Sequence, residues 1–101
     1  MVETAKLALV TIIAASELED GLIEDLRALG VKGYTVGKVN GRGTHGPRIS
    51  GFFDTPNLHF EILVPPALGE KILEHIVAHY SDRAIIAYVQ DVRAVPREHF
   101  A

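Results

Sequence analysis

The glycine-rich stretch from Gly30 to Gly51, GVKGYTVGKVNGRGTHGPRISG, carries the residue types best suited to holding an anion. It contains seven of the nine glycines, and no Asp or Glu occurs between Asp25 and Asp54. Arg27, Lys32, Lys38, Arg42 and Arg48 fall in that acid-free window, half of the ten basic residues in a chain whose net charge is −3. Glycine admits positive φ and close approach of the backbone to a ligand. Successive N–H groups in such turns make an anion-binding concavity. Guanidinium groups beside them can grip a phosphate or carboxylate in two places. A solvated hairpin tip is the plain reading of any Gly-rich loop, and the segregation of charge argues against it here.

The other reactive residues form weaker patterns. No spacing suggests a Ser-His-Asp arrangement or a G-x-S-x-G elbow. Gly41-Arg42-Gly43 matches neither a P-loop nor a dinucleotide fingerprint, so a phosphate would be held by loop amides and side chains rather than by a helix N-terminus. His75 and His79 lie four apart and share a helix face as metal ligands do, yet two ligands are too few for a closed site, and the expectation is no metal. Phe52-Phe53 beside Arg48 is the one hint of nucleic-acid binding, and the acidic balance offers no general attraction to nucleic acid. The expectation is that no nucleic acid is bound.

The elements that must carry this stretch fit one domain spanning residues 1–101. Hydrophobic content of 48% with 23% charged residues suits a folded globular protein with a modest core. The absence of cysteine excludes disulfides, thiol catalysis and Cys-based metal sites, and fits a reducing cytoplasm. The longest apolar run, Leu7 to Ala15, is too short to span a bilayer, and Glu3 ahead of the first Lys does not read as a secretory signal.

Lys6 to Ala14 predicts a buried strand, with four β-branched residues in succession. Ser16 and Glu19 have capping-box spacing ahead of a helix whose apolar stripe is Leu18, Leu22, Leu26 and Leu29, stopped by Gly30. Val31 to Val39 predicts a second strand with Tyr34, Val36 and Lys38 on one face. A loop of about 40–57 follows, long enough to expect a function. Leu58 to Val64 alternates as a third strand, with Glu61 on the face opposite Phe60 and Ile62. Pro65-Pro66 opens a second helix lined by Leu68, Ile72, Leu73, Ile76, Val77 and Tyr80. Ala84 to Val92 predicts a fourth strand, and the tail 93–101 an edge strand or clip. This βαββαβ order predicts an α+β, ferredoxin-like domain with an antiparallel sheet and both helices on one face. Strands apolar on both faces require the second face to be covered, and a closed cyclic oligomer does this.

Three segments together resemble the PII signal-transduction superfamily, in its PII-like, carbon-linked branch, over nearly the whole chain. They are GVKGYTVGKVNGRG, the FEILVPP strand-to-helix junction, and the last strand with Asp91-Val92. The resemblance implies a homotrimer binding adenine nucleotides in clefts between subunits, with the long loop as the T-loop that signals to a partner. It places Thr35 and Val36 at the loop base, Gly41, Arg42 and Gly43 on phosphate, and Leu63 and Val64 on adenine. Lys38, Thr44, His45, Arg48 and Ser50 belong to the anion-facing T-loop. Arg97 matches the first of two C-terminal arginines, and His99 stands where the second would be.

The chain departs from the family in its B-loop, where SDRAIIAYV replaces the Gly-Asp-Gly-Lys segment and Ile86 takes the lysine's register. Arg83 is the nearest substitute charge. The loss of that lysine favours AMP, ADP or cyclic AMP over ATP, with bicarbonate as a further small anion. The T-loop has no tyrosine, so uridylylation is excluded. The resemblance implies a non-enzymatic cytoplasmic sensor whose target is a transporter or a carbon-metabolism enzyme, with membrane association only through such a transporter. Two rivals remain open: a divalent-cation-tolerance type trimer, and a small nucleotide-hydrolysing enzyme.

Overall fold

The structure, a computed structural model, describes residues 1–41 and 57–100. The chain runs β1 (Ala5–Ala15), a 3₁₀ turn (Ser16–Leu18), α1 (Glu19–Leu29), β2 (Thr35–Val39), β3 (Asn57–Val64), α2 (Pro66–Tyr80), β4 (Ile85–Ala94) and a second 3₁₀ turn (Arg97–Phe100). The strands form one sheet in the order β2-β3-β1-β4, with every neighbouring pair antiparallel. This is the expected ferredoxin-like plan.

Alternation along the strands sorts the core. Ala8, Val10, Ile12 and Ala14 of β1 stand opposite Val64, Ile62, Phe60 and Leu58 of β3, and all eight are buried. Leu22 and Leu26 of α1 and Ile72, Ile76 and Tyr80 of α2 close over them, so both helices lie on one face of the sheet. Gly69 brings α2 close to β1, because a Cβ there would lie 3.0 Å from the Ala8 Cβ. Gly30 ends α1 with φ of 104°, and the Val31 N–H donates to the Leu26 carbonyl at 3.0 Å. A residue with a Cβ is strained in that left-handed conformation.

Several local expectations are corrected. No side-chain cap forms at α1: Ser16 lies inside the 3₁₀ turn, and its carbonyl accepts from the Glu19 N–H. The turn supplies by backbone what the capping box would supply by side chains. β2 starts at Thr35 rather than Val31, although Val31 is buried in the core. Val77 is 70% exposed, and Gly69 takes a place on the buried face of α2 instead. Arg93 and Ala94 belong to β4, so the tail begins later than expected and coils into a 3₁₀ turn against β1 instead of adding a strand.

Among the described residues the opposite sheet face carries no helix. There Leu9, Thr11 and Ile13 of β1 lie between Leu63, Glu61 and His59 of β3 and Gln90, Tyr88 and Ile86 of β4. Leu63, Tyr88 and Ile86 are 41%, 45% and 54% exposed. No helix among the described residues is long and apolar enough to cross a membrane.

Candidate functional site

The described residues expected to bind ligand lie toward opposite ends of the sheet. At one end β2 leaves the sheet and β3 enters it, so Val39, Asn57 and Ala15 form the last row. Gly41 lies just beyond, where a Cβ would be 3.8 Å from the Asn57 Nδ2. Arg83 reaches the same end because β4 starts there, with the Ala15 N–H donating to the Ala84 carbonyl at 3.0 Å. Its guanidinium is 3.9 Å from the Glu17 carboxylate. Leu63 and Val64 end β3 at the far edge, and Arg97 lies near the start of β1, 3.5 Å from Glu3. Both ion pairs are solvent-exposed and contribute little to stability. They leave the guanidinium groups available to a stronger anion.

Seven residue steps separate Asn57 from Val64, which at strand rise is about 23 Å. One copy of the chain therefore does not bring Arg83 and Arg97 onto one small ligand. Thr35 and Val36 sit between the ends, opposite Glu61 and Phe60. Their side chains differ in use. Thr35 is exposed on the helix-free face, and Leu63 shares that face. Val36 and Val64 pack into the core, so Val64 can offer a ligand only its main chain. Lys38 is exposed on β2 beside Leu58. Arg42, Gly43, Thr44, His45, Arg48 and Ser50 lie outside the described residues.

Sequence reasoning did not single out Asn57, nor assign His59 a part in the site. Asn57 is 1% exposed, and among the described residues its Oδ1 has no hydrogen-bond partner. His59 Nε2 is likewise buried and unpaired, 3.9 Å from a Glu61 carboxylate oxygen and too far for a hydrogen bond. Unsatisfied buried polar atoms cost on the order of 1–3 kcal/mol each. Both belong to the helix-free face at the loop end. Alternation with Leu58, Phe60 and Ile62 was the available signal.

A second polar cluster joins the two helices. One Asp25 carboxylate oxygen accepts from the Tyr80 hydroxyl at 2.7 Å and from His75 Nε2 at 2.9 Å. The hydrogen bond from Tyr80 is the main reason the Asp25 carboxyl is held below its usual range; partial burial opposes this, and His75 adds to it. Burial, reinforced by Asp25, pushes the Tyr80 hydroxyl up to about 12. The His75 and His79 rings lie 4.4 Å apart. Among the described residues no three His, Cys, Asp or Glu side chains converge as a metal cage.

Comparison with known proteins gives a consistent picture. The family model described as nitrogen regulatory protein P-II matches residues 7–99. A candidate PII-like signaling protein from Thermus thermophilus is 34% identical, with 99% of this chain and 100% of that one covered and a TM-score of 0.80. CPII from Thiomonas intermedia, a nitrogen regulatory PII-like protein, shares the fold at 22% identity in its complex with ADP, AMP and bicarbonate. The match covers 91% of this chain and 96% of that one, with a TM-score of 0.76. Its complex with ADP, AMP and acetate is 21% identical, covers 98% of each chain and has a TM-score of 0.80. No protein with a curated description matches. With a family match spanning nearly all of β1 through the tail, the chain belongs to the P-II family of regulatory proteins.

Proposed function

We propose that the chain is a regulatory sensor that binds an adenine nucleotide between copies of itself and reports the bound state through its long loop. The observation that carries this reading is the separation of its candidate ligand groups. Arg83 and Gly41 stand at one end of the sheet, and Arg97 and Leu63 at the other. A second copy placed against the helix-free face brings one chain's loop end beside its neighbour's tail. Leu63, Tyr88 and Ile86 supply apolar area for that contact. A closed trimer repeats the contact without leaving an open face.

In this arrangement Gly41, Arg42, Gly43 and Arg83 of one copy hold the phosphates, with Arg97 of the next. Thr35, Leu63 and the main chain of Val36 and Val64 receive the base. Lys38, Thr44, His45, Arg48 and Ser50 offer charge and hydrogen bonds to a smaller anion. The CPII complexes with ADP, AMP and bicarbonate support AMP or ADP, with bicarbonate, as the ligands; cyclic AMP is the further candidate that the missing B-loop lysine admits. Signalling is a population shift: the ligand contacts one loop arrangement better than another and thereby selects the surface shown to a protein target. That target belongs to inorganic-carbon handling, as a transporter or an enzyme, and the sensor works in the cytoplasm without turning the nucleotide over.

The test is calorimetric titration with AMP, ADP, cyclic AMP and ATP, with and without bicarbonate, alongside sedimentation. Adenylate binding to a trimer is expected, with the nucleotide recovered intact after prolonged incubation. Arg42→Ala weakens binding by about 1.5–3 kcal/mol, the cost of a charged hydrogen bond. A monomer indifferent to every adenylate overturns the reading.

A further inference from the structure

The geometry points to a divalent-metal site on the outer helical layer, formed by His75 and His79 and oriented by Asp25, for a nitrogen-preferring ion such as Cu²⁺, Ni²⁺ or Zn²⁺. It lies on the side of the sheet away from the proposed nucleotide cleft and does not depend on that reading.

Hydrogen-bond polarity fixes the tautomer of His75. An ionised carboxylate only accepts, so the 2.9 Å contact with Asp25 puts the proton of a neutral His75 on Nε2 and leaves the lone pair on Nδ1. A carboxylate, an imidazole and a vacant nitrogen in series make the arrangement that orients metal-bound histidines and raises their basicity. Tyr80 donates to the same Asp25 oxygen at 2.7 Å, which fixes the carboxylate as well as the ring. One of the two rings is thus oriented before any ion arrives.

His79 supplies the second nitrogen. It stands one turn further along α2, on the face that His75 occupies. The ring centroids are 4.4 Å apart. That separation suits an ion bonded at about 2.0–2.1 Å to a nitrogen of each ring, with the exposed His79 ring turning about its own side-chain bonds while Asp25 holds His75. His79 is exposed, so an ion has a path in and water can complete its coordination. The hydrogen bonds that fasten α1 to α2 are made by Asp25, Tyr80 and His75, and His79 makes none of them. With two protein ligands the site is open and exchangeable, unlike a closed structural one, and among divalent first-row ions copper binds it most strongly.

The test uses the tag-free chain of residues 1–101 and Cu²⁺ nitrilotriacetate, which leaves few positions for protein ligands. Electron paramagnetic resonance is expected to show two bound imidazole nitrogens. His79→Ala is expected to leave one, with affinity at least about tenfold lower. Asp25→Asn still accepts from His75, so it keeps the two-nitrogen signature while lowering affinity by about tenfold or more, as loss of such an outer carboxylate does. His59→Ala and His99→Ala serve as controls and are expected to change nothing. Full affinity in His79→Ala, a one-imidazole spectrum in the unaltered chain, or undiminished affinity in Asp25→Asn overturns the assignment. Adenylate titration of His79→Ala keeps the two readings apart, since the nucleotide proposal requires it to match the unaltered chain.

Discussion

The two faces of the sheet are built by the same strands from alternate residues, and they end in opposite conditions. On the helix side Leu58, Phe60, Ile62 and Val64 of β3 are buried among α1 and α2. On the other side, His59 and Asn57 hold polar atoms without partners among the described residues, and Glu61 and Leu63 are exposed. The first face is finished by one chain. The second combines exposed apolar side chains with buried polar atoms that lack partners among the described residues. A chain needs only one face to fold, which frees the other for recognition. Substitutions on the two faces are therefore expected to have unequal effects on the stability of the single chain.

The largest stability effect belongs to the closed face. Phe60→Ala removes a fully buried ring that also packs against Tyr34 at a centroid distance of 5.8 Å. It is expected to cost about 3–5 kcal/mol in chemical denaturation. A cost below about 1 kcal/mol would mean that the core is not where the helices place it.

The helix layer has its own fastening, and pH separates it from simple packing. Tyr80→Phe deletes the hydroxyl that donates to Asp25 and is expected to cost about 1.5–3 kcal/mol, as for a hydrogen bond to a charged group. Tyr80 titrates near 10 in the unfolded chain and at about 12 in the folded one. Its contribution is therefore complete below about pH 10 and is lost as pH rises toward 12. Asp25 has the opposite sign. Its folded pKa is depressed from the ordinary value of 3.8, so its contribution is present above that value and fades as pH falls through the lower folded pKa. Stability curves of Tyr80→Phe are expected to lose the alkaline step and to weaken the acid one. An alkaline step that survives in the variant assigns it to another group.

Gly69 tests how closely helix and sheet approach. Gly69→Val places branched methyls where even a Cβ comes within 3.0 Å of Ala8 and 3.6 Å of Val10. The expected loss is about 1–3 kcal/mol by overpacking, read by thermal or chemical unfolding. Gly69→Ala is milder, because better helix propensity offsets part of the strain by about 1 kcal/mol.

How much of this was legible beforehand follows from the period of each signal. Strand alternation at Leu58 to Val64 and the leucine spacing from Leu18 to Leu29 repeat several times, so element order, sheet plan and most of the core could be read. Features set by one contact could not. The 3₁₀ entry at Ser16 uses a backbone acceptor that no side-chain pattern announces. Gly69 looks like a defect in a helix until Ala8 is opposite it. The Asp25–His75–Tyr80 cluster joins residues fifty or more positions apart, and only the packing of α1 on α2 reveals it. For the candidate site, the glycine and charge pattern marked the loop but not the division of its supporting residues between the two ends of the sheet. That division is a property of register, which single residues do not encode.

The helix-free face yields the smallest effect in isolation. Ile86→Lys alters a residue already 54% exposed, on an edge strand, with no buried neighbour left empty. In the dilute, dissociated chain it is expected to change stability by no more than about 0.5 kcal/mol. Assembly changes this. If the face is covered by other copies, the unaltered chain's unfolding midpoint rises with protein concentration, because association stabilises the folded state by mass action. A lysine in that contact must be desolvated, so the variant's midpoint is expected to stay flat while sedimentation reports the monomer. A rising midpoint in both chains places the interface elsewhere. A flat midpoint in both removes the second copy, and with it the route by which Arg83 and Arg97 meet on one ligand.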